Sequence, residues 1–127
     1  MTSYAAAGTS PSRIEEVGLH APHPRKVAVI GAGNVGATFA YALALNGLIG
    51  EIVLVDIYRE RAEGEAMDIN HAVPLSNPVR VWAGDYEDCA YADVVMVAAA
   101  VAQRRGETRL DLVRRNVNVF SDVIPSV

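Results

Sequence analysis

The chain has 127 residues, of which 51% are hydrophobic and 20% charged, and its 11 Lys and Arg against 15 Asp and Glu give a formal net charge of −4. This composition predicts one globular domain, large enough to build a hydrophobic core without disulfides or metals. The acidic balance and the lack of any basic run argue against nucleic acid as a partner.

Cysteine content and hydropathy bear on the compartment. Cys89 is the only cysteine, so it can form no internal disulfide and has no second thiol for a metal site. We therefore expect an intracellular, cytoplasmic protein with no bound metal. Residues 27–50 form an uncharged stretch of membrane-spanning length, but its five glycines and two asparagines argue against a lipid-facing helix and against a membrane partner.

The first 24 residues have the composition of a leader. Residues 1–24 contain ten Gly, Pro, Ser or Thr and show no sustained apolar period. This predicts a disordered leader, with the folded domain beginning at Arg25. Arg13 lies beside Glu15 and Glu16, and these acidic neighbours argue against a transit peptide.

Apolar runs and helical segments then alternate. Residues 27–30 and 52–55 are apolar runs of strand length, separated by a glycine turn and an alanine-rich helical segment that reaches Asn46. Runs without polar alternation are typical of parallel strands covered on both faces, so this part predicts a βαβ unit. A helix from Arg59 to about His71, a short strand over 79–83 and an apolar strand over 94–98 are predicted next.

The last segment has the pattern of an amphipathic helix. Thr108, with Asp111 three residues later, resembles a capping box at its start, and Pro125 is expected to end or kink it. We expect its apolar face to pack against the sheet and a further strand. That face carries Leu110, Val113, Val117, Phe120 and Ile124.

A glycine-rich turn joins the first strand to the first helix. Its spacing is G-x-G-x-x-G: the first glycine permits the tight turn, the second lets the backbone approach a pyrophosphate, and the third allows close helix–strand contact. The phosphate would lie at the helix N-terminus, where free N–H groups favour an anion. A glycine turn without a ligand is the alternative for this motif alone. The turn comprises Gly31, Ala32, Gly33, Asn34, Val35 and Gly36.

Asp56 provides the context that the glycine turn needs. It ends the second strand 20 residues after Gly36, where a carboxylate accepts hydrogen bonds from an adenosine ribose. Because the carboxylate would repel a 2′-phosphate, the sequence predicts NAD rather than NADP as the cofactor. Arg61 is a further candidate for the adenosine half, and the alternatives are a solvated acid at 56 and an exposed helix cation at 61.

The segment from Gln103 to Val113 reads QRRGETRLDLV and resembles the substrate loop of the L-lactate dehydrogenases, whose pattern is close to Q-x-P-G-E-T-R-L-D-L. Supporting matches are GAGNVG, IVLVD, EAMDINHA and GDY, and the resemblance as a whole spans Lys26 to Val127. The resemblance implies an α/β fold of the Rossmann type, a doubly wound parallel sheet represented by about four strands with flanking helices. Residues 25–127 would be a truncated NAD-binding domain without the catalytic domain.

The resemblance also implies roles in the interconversion of pyruvate and L-lactate by hydride transfer. Arg109 would polarise the ketone carbonyl, and Gln103 would face the methyl group of pyruvate and discriminate among substrates. Tyr86, Ala100 and Val101 match positions that line the cofactor. The alternatives are an exposed amide at 103, a helix N-terminal cation at 109 and a sheet-end aromatic residue at 86.

The sequence departs from the family pattern in two ways: two positions carry unusual residues, and three catalytic residues are missing. Ala100 stands where the family usually has glycine, which would strain the backbone if that position needs a positive φ, and Arg105 replaces a loop proline. The family's catalytic histidine, its orienting aspartate and its carboxylate-binding arginine have no counterpart, so we expect this chain alone to be inactive. The three histidines are expected to be structural or solvent-facing: His20, His23 and His71.

Two alternatives remain beside a lactate dehydrogenase. Malate dehydrogenase of the same family has the same cofactor turn but usually carries arginine at the place of Gln103, and Arg104 lies one residue too late. A non-catalytic NAD-binding module is the second alternative. The family resemblance further implies a homotetramer for the complete protein.

Overall fold

The computed structural model describes residues 24–73 and 78–127. Residues 1–23, nearly all of the predicted leader, lie outside the described residues. In the described parts, no helix has the length and apolar character needed to cross a membrane. The strands are β1 (Lys26–Ile30), β2 (Glu51–Val55), β3 (Arg80–Ala83) and β4 (Val94–Val97), and the α-helices are α1 (Asn34–Asn46), α2 (Arg59–Ala72) and α3 (Arg109–Val123). Two 3-10 helices, Tyr86–Cys89 and Ile124–Ser126, complete the described elements.

The four strands form one parallel sheet in the order β3-β2-β1-β4. The chain moves outward from β1 to β3 and then returns to the other side of β1 to form β4. The strand order therefore reverses between β1 and β4, and in open α/β sheets a crevice for ligands lies at the carboxyl ends of the strands at such a point. The prediction of a doubly wound parallel fold with about four strands is confirmed.

The core lies on both faces of the two central strands. Residues 27–30 and 52–55 are all buried, as expected for apolar runs covered on both sides. One face packs against α1 and α2, whose alanines allow a close approach to the sheet. The other face packs against the 3-10 helix Tyr86–Cys89 and α3. Burying a side chain such as Ile52 or Leu54 contributes about 1.5–3 kcal/mol, so these strands stabilise the frame of the cleft described below.

The position of α3 differs from the expectation. Val119 and Val123 face the sheet, whereas Leu110, Val113 and Val117 are more than half exposed. The prediction that the stripe from 110 to 124 packs on the sheet is therefore wrong. Helical periodicity identifies which residues share a face, but a second face with valines at 119 and 123 makes the contact instead.

Both ends of α3 agree with their sequence signals. The Thr108 hydroxyl oxygen accepts a hydrogen bond from the Asp111 N–H at 3.2 Å and donates to the Asp111 carboxylate at 2.5 Å. This is half of a capping box, because the carboxylate meets the hydroxyl rather than the backbone N–H of Thr108. The α-helix ends at Val123 and continues as a 3-10 turn that contains Pro125, as predicted.

Cys89 is a core side chain. It is free and buried at the end of its 3-10 helix, among the apolar residues on the α3 side of the sheet. Burial raises the pKa of the Cys89 thiol, so the reactive thiolate is disfavoured at neutral pH.

Candidate functional site

A cleft of about 510 Å³ opens at the carboxyl ends of β1, β2 and β4. Its walls are the glycine turn, the residues after β2, and the segment after β4. Arg104, Arg115 and Val119 also line it, although the sequence did not single them out for this role. Seven of the predicted site residues line this cleft: Gly31, Gly33, Asp56, Arg61, Tyr86, Ala100 and Val101.

Two glycines of the turn are required by packing. Gly31 has φ +98°, and a Cβ there would lie 2.6 Å from the backbone nitrogen of Ala99. A Cβ on Gly36 would overlap the carbonyl oxygen of Gly31. The turn is tied to the second strand by the Gly31 N–H, which donates to the Val55 carbonyl oxygen at 2.7 Å. These glycines allow β1, α1 and β4 to converge at the cleft.

Gly33 has a different reason to be glycine. Its φ of −75° suits any residue, and a Cβ there would meet no protein atom within 4 Å. Gly33 lies at the start of α1, where no side chain caps the helix and the first N–H groups have no intrahelical acceptor. A side chain would instead fill the cradle in front of these donors. The geometry therefore fits the pyrophosphate of a dinucleotide.

Asn34 and Val35 form the first turn of α1, and both are exposed. Neither side chain is part of the cleft wall. Their contribution to an anion there would come from backbone N–H groups at the helix N-terminus rather than from their side chains.

Asp56 lies at the end of β2 with a partly buried carboxylate. One oxygen accepts a hydrogen bond from the Ala32 N–H at 2.8 Å, and the other accepts one from the Tyr58 N–H at 2.8 Å. An ionised carboxylate offers about four acceptor sites, so it retains acceptor capacity for a diol. The carboxylate thus links the glycine turn to β2 while it faces the cleft.

An apolar rim follows Asp56. Ile57 and Tyr58 line the cleft and are 85% and 62% exposed. The Arg61 guanidinium carbon lies 5.3 Å from the centroid of the Tyr58 ring, so it is stacked there rather than solvated alone. Ile57 and Tyr58 were not predicted as site residues; the signal in the sequence was two large apolar residues directly after a polar strand end.

The segment after β4 forms the opposite wall. Among the described non-glycine residues only Tyr91 has a positive φ, so Ala100 is not strained as its replacement of glycine could have implied. The Val101 N–H donates to the Asn116 side-chain oxygen at 2.9 Å, which joins this segment to α3. Tyr86 is half-buried and begins its 3-10 helix at the cleft.

Gln103 and Arg109 lie outside the cleft. The Gln103 side-chain amide donates to the Glu107 carbonyl oxygen at 2.8 Å on the exposed loop. Arg109 is the exposed first residue of α3. The structure therefore places both on the same loop-to-helix junction and brings neither to the cleft. His71 lies in the last turn of α2.

An ion pair that was not predicted from the sequence joins this loop to α3. The Glu107 carboxylate accepts from the Arg104 N–H at 2.8 Å and from the Arg115 guanidinium at 2.8 and 2.9 Å. These hydrogen bonds, that from Arg104 first and that from Arg115 second, lower the pKa of the Glu107 carboxyl. The pair is separated by eight residues across a helix start, a spacing that helical periodicity alone does not identify.

Comparisons with known proteins place this arrangement in a family. The model of the family described as lactate/malate dehydrogenase, NAD binding domain, matches residues 25–127. The chain belongs to the lactate/malate dehydrogenase family. The cofactor predicted from the glycine turn and Asp56, NAD, is thereby confirmed.

Relatives in this family include both enzyme types. An L-lactate dehydrogenase of Acetivibrio thermocellus is 52% identical over 103 residues, which are 81% of this chain and 32% of the relative. The solved minor L-lactate dehydrogenase of Enterococcus mundtii, in a ligand-bound form, has a TM-score of 0.79 at 41% identity over 82% of this chain and 33% of its own. The malate dehydrogenase of Archaeoglobus fulgidus in complex with NADH has a TM-score of 0.73 at 38% identity, covering 80% and 35%.

The chain spans about a third of the length of the curated family members that it matches. The matched third is the part that contains the glycine turn, Asp56 and the loop around Gln103. All three features therefore lie within the segment that the family model matches.

Proposed function

We propose that this chain is the NAD-binding part of a cytoplasmic L-lactate dehydrogenase, a homotetramer when complete, which interconverts pyruvate and L-lactate. The carrying observation is the open cradle at Gly33, which faces the same cleft as Asp56. Protein packing does not require a glycine at this position, because a Cβ there would contact no protein atom. The single buried cysteine supports a reducing compartment, and the L-lactate dehydrogenases among the relatives support the reaction.

In this proposal the chain's own residues hold and orient the cofactor. The N–H groups at Asn34, Val35 and Gly36 bind the pyrophosphate, and Asp56 binds the adenosine ribose. Arg61, Ile57 and Tyr58 border the adenine, whereas Tyr86, Ala100 and Val101 line the path toward the nicotinamide. When bound, NAD accepts or supplies the hydride.

The loop around Gln103 decides the substrate. Arg109 polarises the ketone and stabilises the negative charge that develops on its oxygen. Gln103 presents a neutral amide to the methyl group of pyruvate. The additional carboxylate of oxaloacetate would be stranded without a counter-charge in a dehydrated site, which costs several kcal/mol. This neutrality is the reason to prefer a lactate over a malate dehydrogenase.

The test is the substrate preference of the complete protein and of Gln103→Arg. We measure kcat/KM for pyruvate and for oxaloacetate with NADH, and use the neutral Gln103→Leu as the matched control. The arginine supplies a counter-charge for oxaloacetate and is left unpaired with pyruvate, so the preference should move toward oxaloacetate in Gln103→Arg alone. A parent that prefers oxaloacetate would identify a malate dehydrogenase, and a parent without turnover would leave an NAD-binding module.

A further inference from the structure

The tip of the loop, residues 103–107, is closed on itself by three hydrogen bonds. The Gln103 amide donates to the Glu107 carbonyl oxygen at 2.8 Å, and the Glu107 N–H donates to the Arg104 carbonyl oxygen at 3.1 Å. The Arg104 N–H donates to the Glu107 carboxylate at 2.8 Å. Gly106 completes the turn with φ +81°. Glu107 is thus a partner in all three bonds that set the shape of the tip.

The same carboxylate fastens the tip to α3. The Arg115 guanidinium donates to both Glu107 oxygens, and it also lies 3.5 Å from the Ala102 carbonyl oxygen. Arg115 lines the cofactor cleft, so the fastening point lies between the cleft and the loop tip. The first two turns of α3 separate the two ends of this connection along the chain, because α3 begins at Arg109.

We infer that Glu107, held by Arg115, is a positioning residue that sets where the loop places the Gln103 amide relative to substrate. The inference rests on the proposed function, since it gives Gln103 the substrate-facing role. Glu107 would act through Gln103 and would touch neither the substrate nor the cofactor.

The burial of this pair separates it from an ordinary surface ion pair. The Glu107 side chain is 9% exposed and the Arg115 side chain 28%. In the ion pair on α2, by contrast, the Arg59 side chain is 54% exposed and that of Glu63 53%. Exposed pairs contribute little because water screens them and both side chains lose freedom. The lowered pKa of Glu107 agrees with a carboxylate that stays ionised and bonded at neutral pH.

The first arm of the test measures the fastening itself. Trypsin cleaves after arginine, so the exposed Arg104 and Arg105 are candidate cleavage sites, and we expect loss of the contact with α3 to open the tip more often to the protease. Arg115→Met removes the fastening without altering the sequence at those bonds, and the exposed neighbour Arg114→Met is the matched control. We expect nicking of the complete protein after 104 and 105 to be about fivefold faster in Arg115→Met and unchanged in Arg114→Met. Equal rates in all three proteins would overturn the inference.

The second arm measures positioning through the substrate. Glu107→Gln, Arg115→Met and the double variant are assayed with pyruvate and with 2-oxobutyrate, a longer 2-keto acid, under saturating NADH. We expect KM for pyruvate to rise about fivefold in each, with the pyruvate preference reduced, and KM for NADH in Glu107→Gln to stay within about twofold of the parent. The double variant should be no worse than either single variant, because both remove the same contact.

A purely structural role would give a different result. Loss of folded enzyme lowers the rate with both keto acids alike and leaves the ratio of the two rates unchanged. If the parent is active and the variants behave in this way, the inference is overturned while the proposed function stands. A parent that turns over neither keto acid would overturn the proposed function and, with it, the role assigned to Gln103. When the parent is active, the exposed-pair variant Glu63→Gln should keep the parent ratio.

Discussion

The Asp56 carboxylate accepts a hydrogen bond from the Ala32 backbone N–H at 2.8 Å. Ala32 is fully buried, so this N–H has no access to water. The bond fixes the glycine turn against the end of β2, and the same carboxylate lines the cleft that we propose to hold the cofactor. Substitution at this residue should therefore affect the fold as well as the choice of cofactor.

Asp56→Ala should weaken NAD binding more than NADP binding, because it removes a ribose acceptor and also a repulsion toward the 2′-phosphate. The lost charged hydrogen bond should cost about 1.5–3 kcal/mol in NAD affinity. The Ala32 N–H is left unpaired, so stability should fall by about 1–3 kcal/mol. Titration with both cofactors and thermal unfolding test this. Asp56→Asn retains an acceptor for Ala32 and should recover most of the stability, and equal NAD affinity in all three proteins would contradict the assignment.

Gly33→Ala and Gly36→Ala should have opposite consequences. At Gly33 a methyl group meets no protein atom, so Tm should stay near that of the parent while it obstructs the pyrophosphate, and NAD affinity should fall by about tenfold or more. At Gly36 the methyl group overlaps the Gly31 carbonyl oxygen, so the fold should be destabilised by several kcal/mol. Calorimetry with and without NAD separates the two. A Gly33→Ala protein with normal affinity would show that the pyrophosphate lies elsewhere.

Tyr91→Asn should stabilise the protein. Tyr91 is 99% exposed and has φ +62°, a left-handed conformation that disfavours residues with a large side chain. Asparagine tolerates this conformation better, so we expect a gain of about 0.5–1 kcal/mol and a rise of a few degrees in Tm. Tyr91→Ala keeps an ordinary Cβ and serves as the control, with a change below about 0.5 kcal/mol. Equal Tm values for the Asn and Ala variants would contradict the strain argument.

The stabilising effect of Glu107 should depend on pH. Its folded-state pKa lies below the ordinary value, so the ionised carboxylate stabilises the fold above the unfolded-state pKa of about 4.3, and this contribution is lost as pH falls through the folded-state pKa. The Tm of Glu107→Gln should therefore be lower than that of the parent at pH 7, with a smaller difference near pH 3. Thermal unfolding at both pH values measures this. A difference that grows on acidification would reverse the sign and reject the assignment.

The amino-acid sequence by itself determined the βαβ frame, the glycine turn and the cofactor. These features depend on local properties: unalternated apolar runs at 27–30 and 52–55, three glycines at fixed spacing, and an acid at a strand end. The strand that ends at Val97 and the helix that begins after Thr108 also agree with the structure to within a residue. Local signals suffice where neighbouring residues impose the conformation.

Only the tertiary structure decided which face of α3 meets the sheet and what holds the loop tip at residues 103–107. The apolar stripe at 110, 113 and 117 and the valines at 119 and 123 lie on different faces of one helix, and periodicity does not rank them as partners of a sheet. The contacts of Glu107 with Arg115 and of Asp56 with Ala32 join segments whose distance is set by chain folding. Hydrogen bonds and ion pairs require donor–acceptor distances that are set to within a few tenths of an ångström. Residue types and their spacing in the sequence leave these distances undetermined.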